Sequence, residues 1–103
     1  MATIAELYDQ AVRYHQSGNL QQAESLYRVI IQTEPAHAAA HHLLGLLAAS
    51  TGRHETAVTL LRRAVALSPG DADCHFNLGI VLMSGGQAAE AIAFFRETSL
   101  IGI

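Results

Sequence analysis

The sequence repeats with a period of 34 residues. Gly18, Gly52 and Gly86 are 34 residues apart, and the only two prolines, Pro35 and Pro69, are separated by the same number. A fixed period of this length is typical of chains built from stacked copies of one small unit, each burying its apolar face against its neighbours. The same period relates three further sets: Ala11, Gly45 and Gly79; Ala23, Ala57 and Ala91; and Arg28, Arg62 and Arg96.

The first half of each unit has the pattern of an amphipathic helix. In the first unit Leu7, Ala11 and Tyr14 follow the i, i+4, i+7 spacing of one helical face, which predicts that they point inward. Thr3 with Glu6 predicts a capping box at the start of this helix. A Ser-Gly pair is expected to end it, because glycine accepts the left-handed backbone found at helix ends.

The second half of the unit predicts a second helix. Asn19 with Gln22 predicts its N-terminal cap, and Pro35 ends it because proline cannot donate to the helical hydrogen-bond ladder. Its inward residues are expected to be Ala23, Leu26, Tyr27 and Ile30. No segment alternates with period two, so we expect no strands. The same reasoning predicts further helices near 36–50, 54–67, 71–84 and 87–100.

Small residues mark where the two helices of a unit should meet. Gly45 lies in the first helix of its unit, and Ala57 lies opposite it in the second. Small side chains at these places allow the two backbones to approach closely, while Leu61 fills the space beside them. We therefore expect a larger side chain at position 45 to overpack the contact.

The unit resembles the tetratricopeptide repeat, a helix–turn–helix motif of 34 residues. The resemblance is carried by the segments His42-Leu43-Leu44-Gly45 and Phe76-Asn77-Leu78-Gly79, each followed by the glycine and alanine of its unit. It covers three units, 4–37, 38–71 and 72–103. It implies an all-α fold, a right-handed superhelical solenoid of three helix-turn-helix repeats that forms a single domain over 1–103.

The resemblance also implies a concave groove lined by the first helix of each unit. The residues expected to line it and to bind a peptide are Tyr8, Val12, His15, His42, Leu46, Phe76, Asn77, Ile80 and Met83, with Ala49 beside them. A lining this apolar suits an amphipathic helix or an extended apolar segment of a partner protein. The alternative is that these apolar residues belong to ordinary packing between the helices.

Asn77 is the most specific polar candidate in the groove. In the family an asparagine at this place often bonds the backbone of a bound peptide, and an amide can both donate and accept. The family also contains grooves that grip a C-terminal carboxylate with lysine and arginine. This chain has no lysine, and none of its six arginines falls on a groove position, so we do not expect that mode.

The end of the third unit suggests two alternatives. Its apolar residues could mediate self-association into a homo-oligomer, since a terminal repeat without a polar cap exposes an apolar face. These residues are Phe94, Phe95, Leu100, Ile101 and Ile103. In the other alternative the chain is the repeat segment of a larger enzyme of the glycosyltransferase or methyltransferase type.

Histidines and the single cysteine raise the question of a metal or catalytic site. His37 and His41 have i, i+4 spacing, and His42 and His75 could approach one another, but no carboxylate or thiolate is expected at ligand spacing beside them. His41 and His75 share one repeat position, where a neutral ring needs only one hydrogen bond. Cys74 occupies the place of Ala40 in the preceding unit, which indicates packing. We expect no metal, no cofactor and no enzymatic activity.

Net charge, apolar runs and cysteine count indicate which classes of partner and which compartment to expect. The formal net charge is −3 at pH 7, which argues against binding to nucleic acid. No apolar run approaches the ~18 residues that a membrane span needs, and no signal peptide is recognisable, so we expect no membrane partner. A single cysteine is typical of a reducing compartment, which makes the cytoplasm the expected location.

Overall fold

A computed structural model describes residues 2–85. Over this range the chain forms five α-helices and no strand, in agreement with the all-α prediction. The helices are α1 (Ile4–Gln16), α2 (Leu20–Thr33), α3 (Ala38–Ser50), α4 (His54–Leu67) and α5 (Ala72–Ser84). The helix predicted over 87–100, together with Phe94, Phe95, Leu100, Ile101 and Ile103, lies outside the described residues.

The helix ends follow the local signals in most cases. Thr3 and Glu6 form the predicted capping box, with reciprocal bonds of 3.0 and 3.1 Å between side chain and backbone N–H. Gly18 has a φ of 82°, the left-handed conformation that favours glycine. Asn19 is the N-cap residue of α2, as predicted, but its side chain makes no capping bond. Its backbone is not extended, and its Nδ2 donates to the Ser17 hydroxyl instead.

The helices stack as consecutive hairpins. Each helix contacts the next along the chain, and α3 also contacts α5, so the first helices of the second and third units lie side by side. This arrangement is an all-α repeat solenoid, in which the core lies within each hairpin and between adjacent ones. The predicted groove residues lie on the first helix of each unit, α1, α3 and α5.

Equivalent positions of the repeat are buried in the same way. Ala23 and Ala57 are fully buried, as are Tyr27 and Leu61, which occupy another common position. Tyr14 departs from the predicted inward stripe and is 39% exposed. Its counterparts in the next two units are buried because a preceding hairpin covers them, whereas no hairpin among residues 2–85 covers the outer face of the first.

The close approach of α3 and α4 at Gly45 is confirmed. A Cβ atom placed on Gly45 would lie 2.9 Å from the Cγ of Leu61 and 3.3 Å from the Cβ of Leu60. Carbon atoms prefer separations of about 3.5–4.0 Å, so the contact leaves no room for a side chain. The glycine thus sets the distance between the two helices of the second unit.

Two histidines connect α3 and α5 to the preceding unit by hydrogen bonds. The Nε2 of His41 lies 3.0 Å from the carbonyl oxygen of Pro35, and the Nε2 of His75 lies 2.9 Å from that of Pro69. A carbonyl oxygen only accepts, so Nε2 donates in both bonds. In both units the buried histidine makes the hydrogen bond predicted for this repeat position.

An ion pair connects the first and second units. Glu24 on α2 accepts from both terminal nitrogens of Arg53, at 2.7 and 3.1 Å, and from Arg28 one turn along its own helix. Arg53 precedes α4, so the pair fixes the start of α4 against α2. The bonds from Arg53, aided by Arg28, lower the pKa of Glu24 from its usual 4.5 to about 2.

Candidate functional site

Among the predicted groove residues, the large apolar side chains that are most exposed lie on α5. Phe76, Ile80 and Met83 are 46%, 47% and 53% exposed and follow the i, i+4, i+7 spacing of one helical face. We call these three side chains the α5 stripe. Residues with this spacing form one continuous strip along a helix. The stripe therefore presents three large apolar side chains to solvent on a single surface.

The groove residues of α1 and α3 are more enclosed. Tyr8, Val12, His42 and Leu46 are all half-buried. Tyr8 packs against the core of the first unit, and its ring lies 5.2 Å from the ring of His37. Leu46 packs against the core between the second and third units. Tyr8 and Leu46 thus contribute to packing and leave only part of their surface exposed.

His15 is directed toward α2. Its Nδ1 lies 3.0 Å from the hydroxyl oxygen of Tyr27, which is fully buried, and the two rings meet edge to face at 5.8 Å. Burial lowers the pKa of His15 and raises the pKa of Tyr27 to about 12. Both groups are therefore neutral at pH 7, and the pair satisfies a polar atom inside the first hairpin.

Asn77 and His42 are brought together across the boundary between the second and third units. The Nδ2 of Asn77 lies 2.9 Å from the Nε2 of His42. An amide nitrogen only donates, so Nε2 of His42 accepts in this assignment. Their separation of 35 residues, one repeat plus one position, is the sequence signal that would have predicted the contact.

A cluster of metal-ligating side chains lies beside this contact. One ligand atom each from His42, Asp71 and Cys74 falls within 4.8 Å of the others. The expectation that no carboxylate or thiolate would lie beside the histidines is therefore wrong. Asp71 is the N-cap of α5, and the packing of α3 on α5 places His42 next to this cap. The repeat pattern does not reveal the cluster, because these side chains do not recur one repeat away, where His37, Ala40 and Phe76 stand in place of Asp71, Cys74 and His42.

The remaining candidates have other roles. The Nδ1 of His37 accepts from the backbone N–H of Ala40, and His41 is bonded to a carbonyl, so both imidazoles of the i, i+4 pair are engaged. Burial and the neighbouring Asp71 raise the pKa of Cys74 to about 12. A thiol with this pKa is protonated at pH 7, which does not suit a nucleophile.

A helix that crosses a membrane needs about 20 predominantly apolar residues. Of the five helices in the described part of the chain, none has both the length and the apolar character needed to cross a bilayer.

Sequence profiles of the family described as "Tetratricopeptide repeat" match residues 8–72 and 48–101. Comparison with curated protein sequences finds no match. Among solved structures, an O-GlcNAc transferase mutant from Thermobaculum terrenum is 37% identical, with a TM-score of 0.88. The alignment covers 99% of this chain but 21% of the transferase, so the chain spans about a fifth of that protein.

Two other solved structures share the fold at lower identity. MamA is 20% identical with a TM-score of 0.91, over 96% of this chain and 58% of MamA. The type III secretion chaperone SycD of Yersinia enterocolitica, solved with a peptide of the translocator YopD, is 17% identical with a TM-score of 0.90. That alignment covers 96% of this chain and 76% of SycD. With its profile matches spanning more than half of its length, the chain belongs to the tetratricopeptide repeat family.

Proposed function

We propose that this chain is a non-catalytic protein-interaction module of the cytoplasm, which binds an amphipathic helix or an extended apolar segment of a partner protein. The α5 stripe carries the proposal, because Phe76, Ile80 and Met83 each leave about half of their surface in water. Contiguous apolar surface of this kind is typical of interaction sites. The SycD–peptide complex supports it, since it shows that this fold is compatible with peptide binding.

The geometry suits a partner segment lying along α5. The stripe spans seven residues of helix, which corresponds to about 10 Å. Asn77 is half-buried beside it on the same helix. Its Nδ2 contacts His42, and its Oδ1 can accept from a backbone N–H of an extended segment. Covering a half-exposed large apolar side chain contributes about 1 kcal/mol, so the stripe supplies about 3 kcal/mol of binding free energy.

The test is a peptide selection followed by matched variants. Peptides would be selected on the intact protein from a displayed library of random 15-residue sequences, and their dissociation constants measured by fluorescence anisotropy. Phe76→Ala with Ile80→Ala should weaken the selected apolar peptides by about tenfold or more. Val29→Ala is the matched control, because Val29 is 44% exposed on α2, outside the groove face.

Two outcomes would contradict the proposal. One is that selection returns no peptide with apolar anchors. The other is that the double variant, folded by circular dichroism, binds the selected peptides as tightly as the unaltered protein does. Because both side chains are half exposed, truncating them should leave the fold intact.

A second candidate is that the chain is the repeat segment of a larger enzyme. It is favoured by the 37% identity to the O-GlcNAc transferase, which extends over 99% of this chain. In that case the groove would present protein substrates to a catalytic domain elsewhere. The gene sequence tests this candidate: a catalytic domain encoded in the same reading frame, before or after these residues, supports it, and a reading frame confined to these 103 residues rejects it.

A further inference from the structure

The cluster of His42, Asp71 and Cys74 has the ligand chemistry of a transition-metal site. We propose that these three side chains bind Zn²⁺ and so join the second repeat to the third. Imidazole nitrogen, carboxylate oxygen and cysteine sulfur are the donor atoms that zinc uses in proteins, and a sulfur ligand disfavours Mg²⁺ and Ca²⁺. The inference does not depend on peptide binding by the α5 stripe, because Phe76, Ile80 and Met83 are not among the three ligands.

The distances allow an ion after a small adjustment. The three ligand atoms lie within 4.8 Å of one another. In a tetrahedral zinc site the ion lies about 2.0–2.3 Å from each ligand, which places the ligand atoms about 3.3–3.8 Å apart. The side chains must therefore draw together by about 1 Å. Rotations of His42 and Asp71, which are both half-buried, can supply this movement.

The local hydrogen bonds prepare the ligands. The backbone N–H groups of Asp73 and Cys74 bond to Oδ1 of Asp71 at 3.0 and 3.3 Å, which holds the carboxylate at the start of α5. The Cys74 sulfur lies within 4.8 Å of an oxygen of this carboxylate. Zn²⁺ would take the place of the thiol proton, which passes to the buffer, and bind the sulfur as thiolate.

Asn77 acts as a positioning residue for His42. Nε2 of His42 contacts this amide, so the ion would bind Nδ1, and Nε2 would then carry the proton of the neutral ring. The Asn77 amide would turn over so that its Oδ1 accepts from Nε2–H. An outer partner of this kind fixes the ring of a metal-bound histidine. Three protein ligands leave a fourth coordination position, which a water molecule would fill. Because His42 comes from α3 and the other two ligands from the start of α5, the ion would link adjacent units and stabilise their stacking.

The experiment is zinc titration of the reduced, metal-free full chain. Calorimetry should show one equivalent of Zn²⁺ bound, and zinc should raise the melting temperature. Co²⁺ as a spectroscopic substitute should give the thiolate-to-cobalt charge-transfer band expected from one sulfur ligand. His42→Ala and Cys74→Ala should each weaken zinc binding by about tenfold or more and abolish the rise in melting temperature.

The variants are chosen to keep the fold. Alanine occupies the position equivalent to Cys74 one repeat earlier, at Ala40. Asp71→Asn retains an N-cap residue while removing the charge, and it should also weaken binding. His37→Asn is the matched control, because it removes another imidazole but keeps a helix cap, so binding should be unchanged. Absence of stoichiometric binding, equal affinity in the ligand variants, or no cobalt–thiolate band would overturn the proposal.

Discussion

The contact at Gly45 makes a prediction whose sign can be worked out from the structure. In an open helix, replacing glycine with alanine stabilises by about 1 kcal/mol. At this position the added methyl would lie 2.9 Å from Cγ and 3.1 Å from Cδ2 of Leu61. Leu61 is fully buried, so it cannot turn aside into solvent. We therefore expect Gly45→Ala to lower the free energy of unfolding by about 1 kcal/mol, and Gly45→Leu by about 3 kcal/mol or more.

A double-mutant cycle isolates the cause. Leu61→Ala alone should cost about 2–5 kcal/mol, because it removes a buried side chain and leaves a cavity. In that background the methyl of Gly45→Ala enters vacated space, so the same substitution should now stabilise by about 1 kcal/mol. The assay is urea unfolding followed by circular dichroism on the four proteins.

Reversal of the sign between the two backgrounds is the diagnostic result. If Gly45→Ala stabilises the protein with Leu61 in place, or destabilises it equally in both backgrounds, then the contact with Leu61 does not determine the need for glycine at this position. The argument that this glycine sets the spacing of α3 and α4 would then fail.

Three further predictions follow from the polar contacts and the apolar third unit. The pKa of Glu24 is about 2 in the folded protein against a usual 4.5, so its contribution is complete above pH 4.5 and is lost as the pH falls toward 2. Glu24→Gln should therefore cost about 1 kcal/mol at pH 7 and almost nothing near pH 2, measured by urea unfolding at each pH. His15→Ala leaves the buried Tyr27 hydroxyl without its partner and should lower the free energy of unfolding by about 1–3 kcal/mol. Adding Tyr27→Phe should restore part of this loss. Equal stability of the single and double variants would contradict this reasoning. Finally, the apolar residues after position 85 predict self-association, and light scattering that shows only monomer at ~100 μM would reject it.

The sequence predicted the features that depend on neighbouring residues. The capping box at Thr3 was predictable because both partners lie within one turn of helix. The ends of α2 and α4 were predictable because proline excludes helical hydrogen bonding at Pro35 and Pro69. Asn19 shows where this local reasoning fails. It precedes α2, but its Nδ2 donates to the Ser17 hydroxyl across the glycine turn, and its side chain makes no capping bond.

The arrangement of the predicted groove residues could be foreseen only in part. Helical spacing placed the α5 stripe on one face, but its exposure depends on how far each unit covers the next. His15 has the spacing of a groove residue, yet its ring bonds to Tyr27 on α2. This orientation depends on a buried hydroxyl group on another helix, so the sequence of α1 alone could not predict it.

By itself the sequence determined the repeat, the helices and the family, because a 34-residue period and the spacing of apolar residues are properties of the chain in order. Only the tertiary structure decided which non-periodic polar side chains meet. Arg53 reaches Glu24 from 29 residues away, and Asp71 and Cys74 reach His42 across the boundary between two units. Such contacts depend on how neighbouring hairpins stack on one another, which no single segment of the sequence determines.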